Sequence, residues 1–378
     1  MKNWFVSIFL IATIPSPAPK TATGQLKANS STENIFIITL DGFRWQEVFN
    51  GADSSLINNE HYTPGAEIIK AIYWESSQEK RREKLMPFFW NVLVSKGQLY
   101  GNRSFGNKVN VANQYAISYP GYNEMFTGNT DILISTNKKY RNPNINVLEY
   151  LNSKDEYKDK VAAFSSWDVF PFILNEKRNT IPLTSGYQNI SPGNSTVLQM
   201  LNKVQEEGVN DKKATRYDQL TFIAAKEYLQ QHKPRVFYLG LGETDEFAHD
   251  GRYDQYLQTA NANDRMIAEL WHWAQTTDGY KDNTTFIITT DHGRGRKTNK
   301  WTTHGSLVGG SSEVWLAVIG PGIEPIGEVK DNQQLYLQQL AQTIASLLGE
   351  SFEPGQSVAN AISLPLRKST IDGVVLRK

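Results

Sequence analysis

The sequence predicts an α/β fold: a doubly wound, mostly parallel sheet with helices on both faces and inserted cap or loop segments. Three observations predict it. Short β-rich runs are apolar at nearly every position rather than alternating, the pattern of strands buried on both faces. Between them lie stretches with apolar residues three and four apart, which is the helical period. The runs end in polar, mostly acidic residues, and such sheets bind ligands beyond the carboxyl ends of their strands.

Taken in order, the predicted strands are Ile35–Leu40 (IFIITL), Val161–Phe164 (VAAF), Val236–Leu241 (VFYLGL), Phe286–Thr290 (FIITT) and Val314–Ile319 (VWLAVI). Helices are expected over Tyr217–Gln230, Tyr256–Ala274 and Asn332–Leu348. This alternation of strand and helix argues for the doubly wound class. Residues 25–378 read as a single domain with two insertions. The first, near residues 50–100, carries the charged helical stretch Gln78–Lys84 running into LMPFFWNVL and is expected to pack on the main sheet. The second, near 174–211, is rich in Asn, Ser, Gly and Pro. It reads as a lid or binding loop above the active-site end, or as a plain exposed loop.

Residues 1–24 read as a secretory signal. Lys2 precedes the apolar stretch Trp4–Ile14, and Pro15, Pro17 and Pro19 lead to the small-residue site Ala22-Thr23-Gly24. The stretch falls short of the roughly 20 residues that span a bilayer, so cleavage and export are expected, with a membrane anchor or a frayed first helix as the alternatives. The expected location is periplasmic or secreted, with no membrane span after cleavage.

Composition narrows the chemistry. The 39 Lys and Arg balance 39 Asp and Glu, so the excess basic surface of a nucleic-acid binder is missing. There is no cysteine, which excludes disulfides, thiolate nucleophiles and Cys-type metal sites. Metal chemistry must then use Asp, Glu and the six histidines.

The candidate site residues follow the strands. Asp41 ends the first run, Glu243-Thr244-Asp245 follows the third, and Asp291-His292-Gly293 follows the fourth. A single carboxylate at a strand end is commonly a helix cap or turn residue. Three in one sheet would repel one another unless cations held them. Asp245 and His249 are four apart in ETDEFAHDG, so on a helical turn both project from one face and can share a cation. His304 lies in WTTHG, and Ser118 opens a segment with helical potential, SYPGYNEMFTG. A hydroxyl there meets the free N–H groups that favour an anion, although a plain Ser cap is the simpler reading of Ser118 alone. Arg294, Arg296, Lys297 and Lys300 could reach a substrate anion or lie in solvent.

Together these pieces resemble the alkaline phosphatase superfamily, particularly its type I phosphodiesterase and nucleotide pyrophosphatase branch. The resemblance rests on LDGFRW, ISYPGYNEMFTG, GETDEFAH, TTDHG and THG, in that order, between about residues 34 and 350. It implies an alkaline-phosphatase-like fold and two zinc sites, or sites for another divalent transition metal. Asp41, Ser118, Asp291 and His292 would bind one ion, and Asp245, His249 and His304 the other. Mixed nitrogen and oxygen ligands suit Zn²⁺. The resemblance further implies Ser118 as a metal-activated nucleophile that forms a phosphoseryl intermediate on a small-molecule phosphate ester. Backbone N–H groups after Ser118 would bind a non-bridging oxygen. Where relatives place an asparagine for the same purpose this chain has Lys139, and Asn137 or Asn142 would serve with a shifted loop.

Neighbouring chemistries fit less well. Sulfatases carry a C/S-x-P-x-R signature, whereas Tyr122 stands here at the arginine position. A monoesterase branch places Lys-x-Arg after the strand matching VAAF, and here Ser165-Ser166-Trp167 follows, so phosphodiesters are favoured. Trp167 could stack on an organic substituent or simply pack. Phosphate monoesters or sulfate esters remain the alternative substrates, and a non-catalytic metal-binding relative is the alternative of a different class.

Overall fold

The computed structural model describes residues 32–191, 193–367, 370–371 and 374–375, so the proposed signal segment lies outside the described residues. In chain order the strands are β1 (Asn34–Leu40), β2 (Gln98–Tyr100), β3 (Asn107–Asn110), β4 (Val161–Ser165), β5 (Leu183–Ser185), β6 (Val236–Leu241), β7 (Thr284–Thr289), β8 (Glu313–Val314), β9 (Leu316–Ile319), β10 (Gly327–Glu328), β11 (Gln333–Tyr336), β12 (Thr370–Ile371) and β13 (Val374–Val375), the last two paired with each other. Eight of them form the main sheet in the order β10-β2-β9-β7-β1-β6-β4-β5, and β11-β3-β8 form a smaller one. In the main sheet β9 alone runs against its neighbours β2 and β7.

The apolar strands have two faces to bury. Phe36, Ile38 and Leu40 of β1 join one core cluster and Ile35 and Ile37 the other, as the period of two requires. Helix Tyr253–Thr276 covers the first face with Tyr253, Tyr256, Leu257, Ala260, Ile267 and Leu270. Helix Ser118–Thr127 covers the second with Tyr119, Tyr122, Met125 and Phe126. Near residues 50–100, helix Gln78–Leu85 leads to Met86, Phe89 and Trp90, which join the first cluster.

Three expectations change. Asn332–Leu348 is not one helix: β11 and a 3₁₀ turn, Leu337–Gln339, precede helix Leu340–Leu347. Gln333–Tyr336 buries only Leu335 and pairs with β3, so sheet hydrogen bonds outweigh the weak helical spacing. VWLAVI is divided at Trp315, whose buried indole donates to the Phe43 carbonyl at 2.9 Å; Val314 belongs to the small sheet and Leu316–Ile319 to the large one. The 174–211 segment adds β5 to the free edge of β4 and helix Thr196–Lys203 beside helix Asp218–His232. Only part of it, around Tyr187 and Gln188, reaches the active-site end.

Candidate active site

Sheet register explains how the acidic residues meet. β1 lies between β6 and β7, parallel to both, with Thr39 level with Gly240 and Thr289. Neighbouring strands are about 4.8 Å apart, so residues that leave their carboxyl ends together must share one small volume. Asp41, Asp245 and Asp291 do so, although 46 to 250 residues separate them along the chain.

His292 Nε2 stands at the centre. It lies 3.1 Å from Ser118 Oγ, 3.5 Å from Asp41 Oδ1, 3.4 Å from Asp291 Oδ2 and 3.8 Å from Asp245 Oδ1. Its ring stacks on that of His304 at 3.8 Å between centroids. His304 Nε2 is 3.7 Å from Asp245 Oδ1 and 3.0 Å from His249 Nε2, and His249 Nε2 is 3.2 Å from Asp245 Oδ2. All seven residues proposed as ligands thus converge. Two groups, Asp41 with Asp291 and His292, and Asp245 with His292 and His304, place their donor atoms within 4.8 Å of one another.

Local structure holds each group in place. Ile117 is the cap residue of helix Ser118–Thr127, so Ser118 is its first helical residue and the plain capping reading does not hold. Gly121 lets that helix approach β7: a Cβ there would stand 2.2 Å from the Asp291 carbonyl oxygen. Gly42 has φ +59°, and a Cβ on it would stand 2.6 Å from Asp245 Oδ1. Tyr122, one turn after Ser118, donates to Asp41 Oδ2 at 2.9 Å. Gly42 N–H donates to Asp291 Oδ1 at 3.0 Å, and the Thr244 hydroxyl to the Asp41 carbonyl at 2.6 Å. The loop before Ser118 is tied down by Glu124, whose carboxylate accepts the Ala112 and Asn113 N–H groups.

The electrostatics call for cations. Burial, and then the neighbouring Asp291, push the Asp41 carboxyl well above its usual range. Burial followed by Asp245 pushes Asp291 up to about 7. Asp41 Oδ1 and Asp291 Oδ2 are buried without a hydrogen-bond partner among the described residues. Burial would raise Asp245 too, but Arg294 and then His249 hold it well below the usual range. His304 is brought down to about 2, by burial and then by His292, which suits a neutral imidazole ligand. Unpartnered carboxylate oxygens beside imidazole nitrogens fit divalent cations with nitrogen and oxygen ligands.

Several features were not foreseen. Arg294 is buried rather than solvated: it pairs with Asp245 and donates from Nε to the Trp301 carbonyl at 2.8 Å and from Nη2 to that of Thr302 at 2.6 Å. Its position two residues after His292 was the available signal. Arg296 pairs with Glu313, while Lys297 and Lys300 are exposed. Asn137 lines the cavity that Asp41, Ser118 and Asp245 border, and its Oδ1 accepts the Tyr119 N–H at 3.0 Å. The Tyr119 N–H is therefore engaged, while the Asn137 side-chain N–H groups take no part in that bond. Asn142 is buried and bonded to Asn123 Oδ1 at 2.9 Å, away from the cavity lining. Trp167 lines the cavity, as do Lys139 and Asp168, to which the motifs had assigned no role.

Comparison with known proteins bears on the fold and the family. Among solved structures, a variant of the alkaline phosphatase PafA superposes with a TM-score of 0.54 at 13% identity, covering 88% of this chain and 98% of that one. The phosphonate monoester hydrolase SpPMH from Silicibacter pomeroyi gives 0.52 at 12% identity over 85% and 74%. BT1596, a 2-O GAG sulfatase, gives 0.52 at 12% over 87% and 73%. At such identities the likeness shows the fold, which is alkaline-phosphatase-like, and leaves the branch open. No curated protein matches the chain by sequence. The Metalloenzyme superfamily profile matches residues 111–351, well over half the chain and a span that holds six of the seven converging residues, and the protein belongs to that superfamily.

Proposed function

We propose that the protein is an exported two-zinc phosphoric ester hydrolase with Ser118 as nucleophile and a preference for phosphodiesters. The observation that carries this reading is the Ser118 hydroxyl. It lies at the first turn of a ten-residue helix, 3.1 Å from His292 Nε2, beside buried carboxylate oxygens that lack partners. Asp41, Ser118, Asp291 and His292 would hold one zinc and Asp245, His249 and His304 the other; when bound, they supply the positive charge that makes a serine oxygen nucleophilic and offsets charge on the phosphoryl group.

Ser118 Oγ gives up its proton and forms a bond to phosphorus as the ester oxygen leaves with its pair of electrons and takes up a proton; water then bonds to phosphorus as Ser118 Oγ leaves the phosphoseryl intermediate and regains a proton. The helix start around Ser118 faces the phosphoryl oxygens with a partial positive charge. Asn137, with its carbonyl oxygen committed to Tyr119, keeps its amide N–H groups for the substrate. The Asp41 contact made by Tyr122 speaks against sulfatase chemistry, because the arginine of that signature is replaced by a residue that serves a metal ligand. Ser165 and Trp167 stand where a monoesterase would carry its Lys and Arg; the Ser165 hydroxyl oxygen accepts the Trp167 N–H at 3.2 Å, and Trp167 lines the cavity without a charge.

The test compares zinc-loaded protein on bis-p-nitrophenyl phosphate, p-nitrophenyl phosphate and p-nitrophenyl sulfate. The diester should turn over fastest, and chelator or Ser118→Ala should abolish activity. Turnover of none of the three would refute catalysis, and faster monoester turnover would move the protein to the phosphatase reading. Export is tested by the mature N-terminus, expected near Gly24 or Gln25.

A further inference from the structure

Among the described residues one basic side chain lines the catalytic cavity, at the position where the resembled family carries an asparagine. The cavity encloses about 380 Å³. Lys139 is the single basic side chain among its lining residues, where it meets the acidic Asp41, Asp168, Asp245 and Glu246. Its Nζ lies 2.7 Å from Asp168 Oδ2. The loop that carries Lys139 is pinned to the nucleophile helix on both sides: Asn137 Oδ1 accepts the Tyr119 N–H, and the Tyr140 carbonyl accepts the Tyr119 hydroxyl at 2.8 Å. Asp168 is fixed as well, by its N–H bond to the Ala214 carbonyl at 3.0 Å and by Gly186 packed against its Cβ.

The pair stabilises little, because its side chains are 49% and 29% exposed and such ion pairs contribute about 0 to 1 kcal/mol. Its effect is on the cavity. An ammonium has three donors, and Asp168 engages one. Lys139 therefore offers N–H groups to a phosphoryl oxygen while Asp168 cancels its net charge. Lys139 and Asp168 also line a second cavity of about 470 Å³, bounded by Pro171, Phe172 and Tyr187 and by the charged Glu176, Lys212 and Lys213, so the pair is a wall common to both spaces.

We propose that the Lys139–Asp168 pair sets the preference for a monoanionic phosphodiester over a dianionic monoester, with the second substituent of the diester lying across the pair in the neighbouring cavity. Lys139 is the specificity-determining residue and Asp168 the residue that positions it and neutralises it. This rests on the ester hydrolase reading above.

The experiment uses zinc-loaded wild type, Asp168→Asn, Lys139→Met and the double variant. The kcat/KM values for bis-p-nitrophenyl phosphate and p-nitrophenyl phosphate are measured at about pH 8, where the monoester is a dianion. Freeing the lysine charge in Asp168→Asn should raise the monoester-to-diester ratio about three- to fivefold, the scale of one added charge contact in a half-exposed site. Lys139→Met should lower the ratio by a similar factor, and the double variant should return it towards wild type. A loss of structure would instead depress both substrates equally. Ratios within twofold of wild type in all three variants, with diester activity intact, would overturn the proposal. Binding of inorganic phosphate is followed in parallel by calorimetry and should tighten in Asp168→Asn. Should wild type hydrolyse neither ester, the hydrolase reading fails on its own, and unchanged phosphate affinity then overturns the charge role of the pair.

Discussion

Glu124 is expected to make the protein less stable as pH rises through neutrality, and Glu124→Gln to remove that dependence. The carboxylate is buried on helix Ser118–Thr127 and accepts the Ala112 N–H at 2.9 Å, the Asn113 N–H at 2.6 Å and Asn113 Nδ2 at 2.9 Å. Burial is the larger influence and raises its pKa; the N–H bonds oppose it, and the balance stands at about 7 against an ordinary 4.5. A carboxyl whose pKa is higher in the folded than in the unfolded chain contributes stability fully below its unfolded pKa and loses it as pH rises through the folded one. That displacement corresponds to about 3 kcal/mol, lost between roughly pH 4.5 and pH 7. Glutamine keeps one oxygen as acceptor and cannot ionise. Urea unfolding, followed by tryptophan fluorescence in chelator so that metal binding does not enter, measures both proteins from about pH 5 to pH 8. The gap between their unfolding free energies should move by about 2 to 3 kcal/mol in favour of the variant over that range. Parallel pH profiles would show that the N–H donors outweigh burial and that Glu124 is ionised throughout.

Three other outcomes are expected. Arg294→Met removes the main counter-charge of Asp245, so in chelator it should cost about 3 kcal/mol, and zinc should recover most of the loss; an equal loss of melting temperature with and without zinc would assign Arg294 to packing alone. Tyr122→Phe leaves Asp41 Oδ2 without its donor and should weaken zinc binding about tenfold in a direct titration while changing stability by only about 1 kcal/mol. Gly121→Ala forces a methyl to within 2.2 Å of the Asp291 carbonyl oxygen; it should cost about 2 kcal/mol or more in denaturant unfolding and displace Ser118 from His292, seen as lost activity in whatever protein remains folded.

Legibility varied with how local the deciding physics was. β1, β6 and β7 could be read because both their faces are covered, and a doubly covered strand is apolar at every position. β2, β5, β10 and β11 could not, since two to four residues carry too little pattern and their pairing depends on a distant free edge. His249 could be placed from Asp245 because a helical turn fixes residues four apart. Arg294 could not, because whether an arginine after His292 lies in solvent or under Asp245 depends on loops 294–304 folding back on themselves.

By itself the sequence determined the doubly wound α/β class, the order of the motifs and the residue types at the strand ends, all of which follow from side-chain period and from the chemistry of Asp, His and Ser. Tertiary structure alone decided that β1, β6 and β7 lie side by side in register, bringing Asp41, Asp245 and Asp291 into one buried volume around His292. It alone set Asn137 rather than Asn142 beside Ser118, and put Lys139 against Asp168 on the cavity wall. The reason is one of range: backbone period acts over a few residues and can be read along the chain, whereas burial, charge pairing and the shape of a cavity act through space between segments the chain holds far apart.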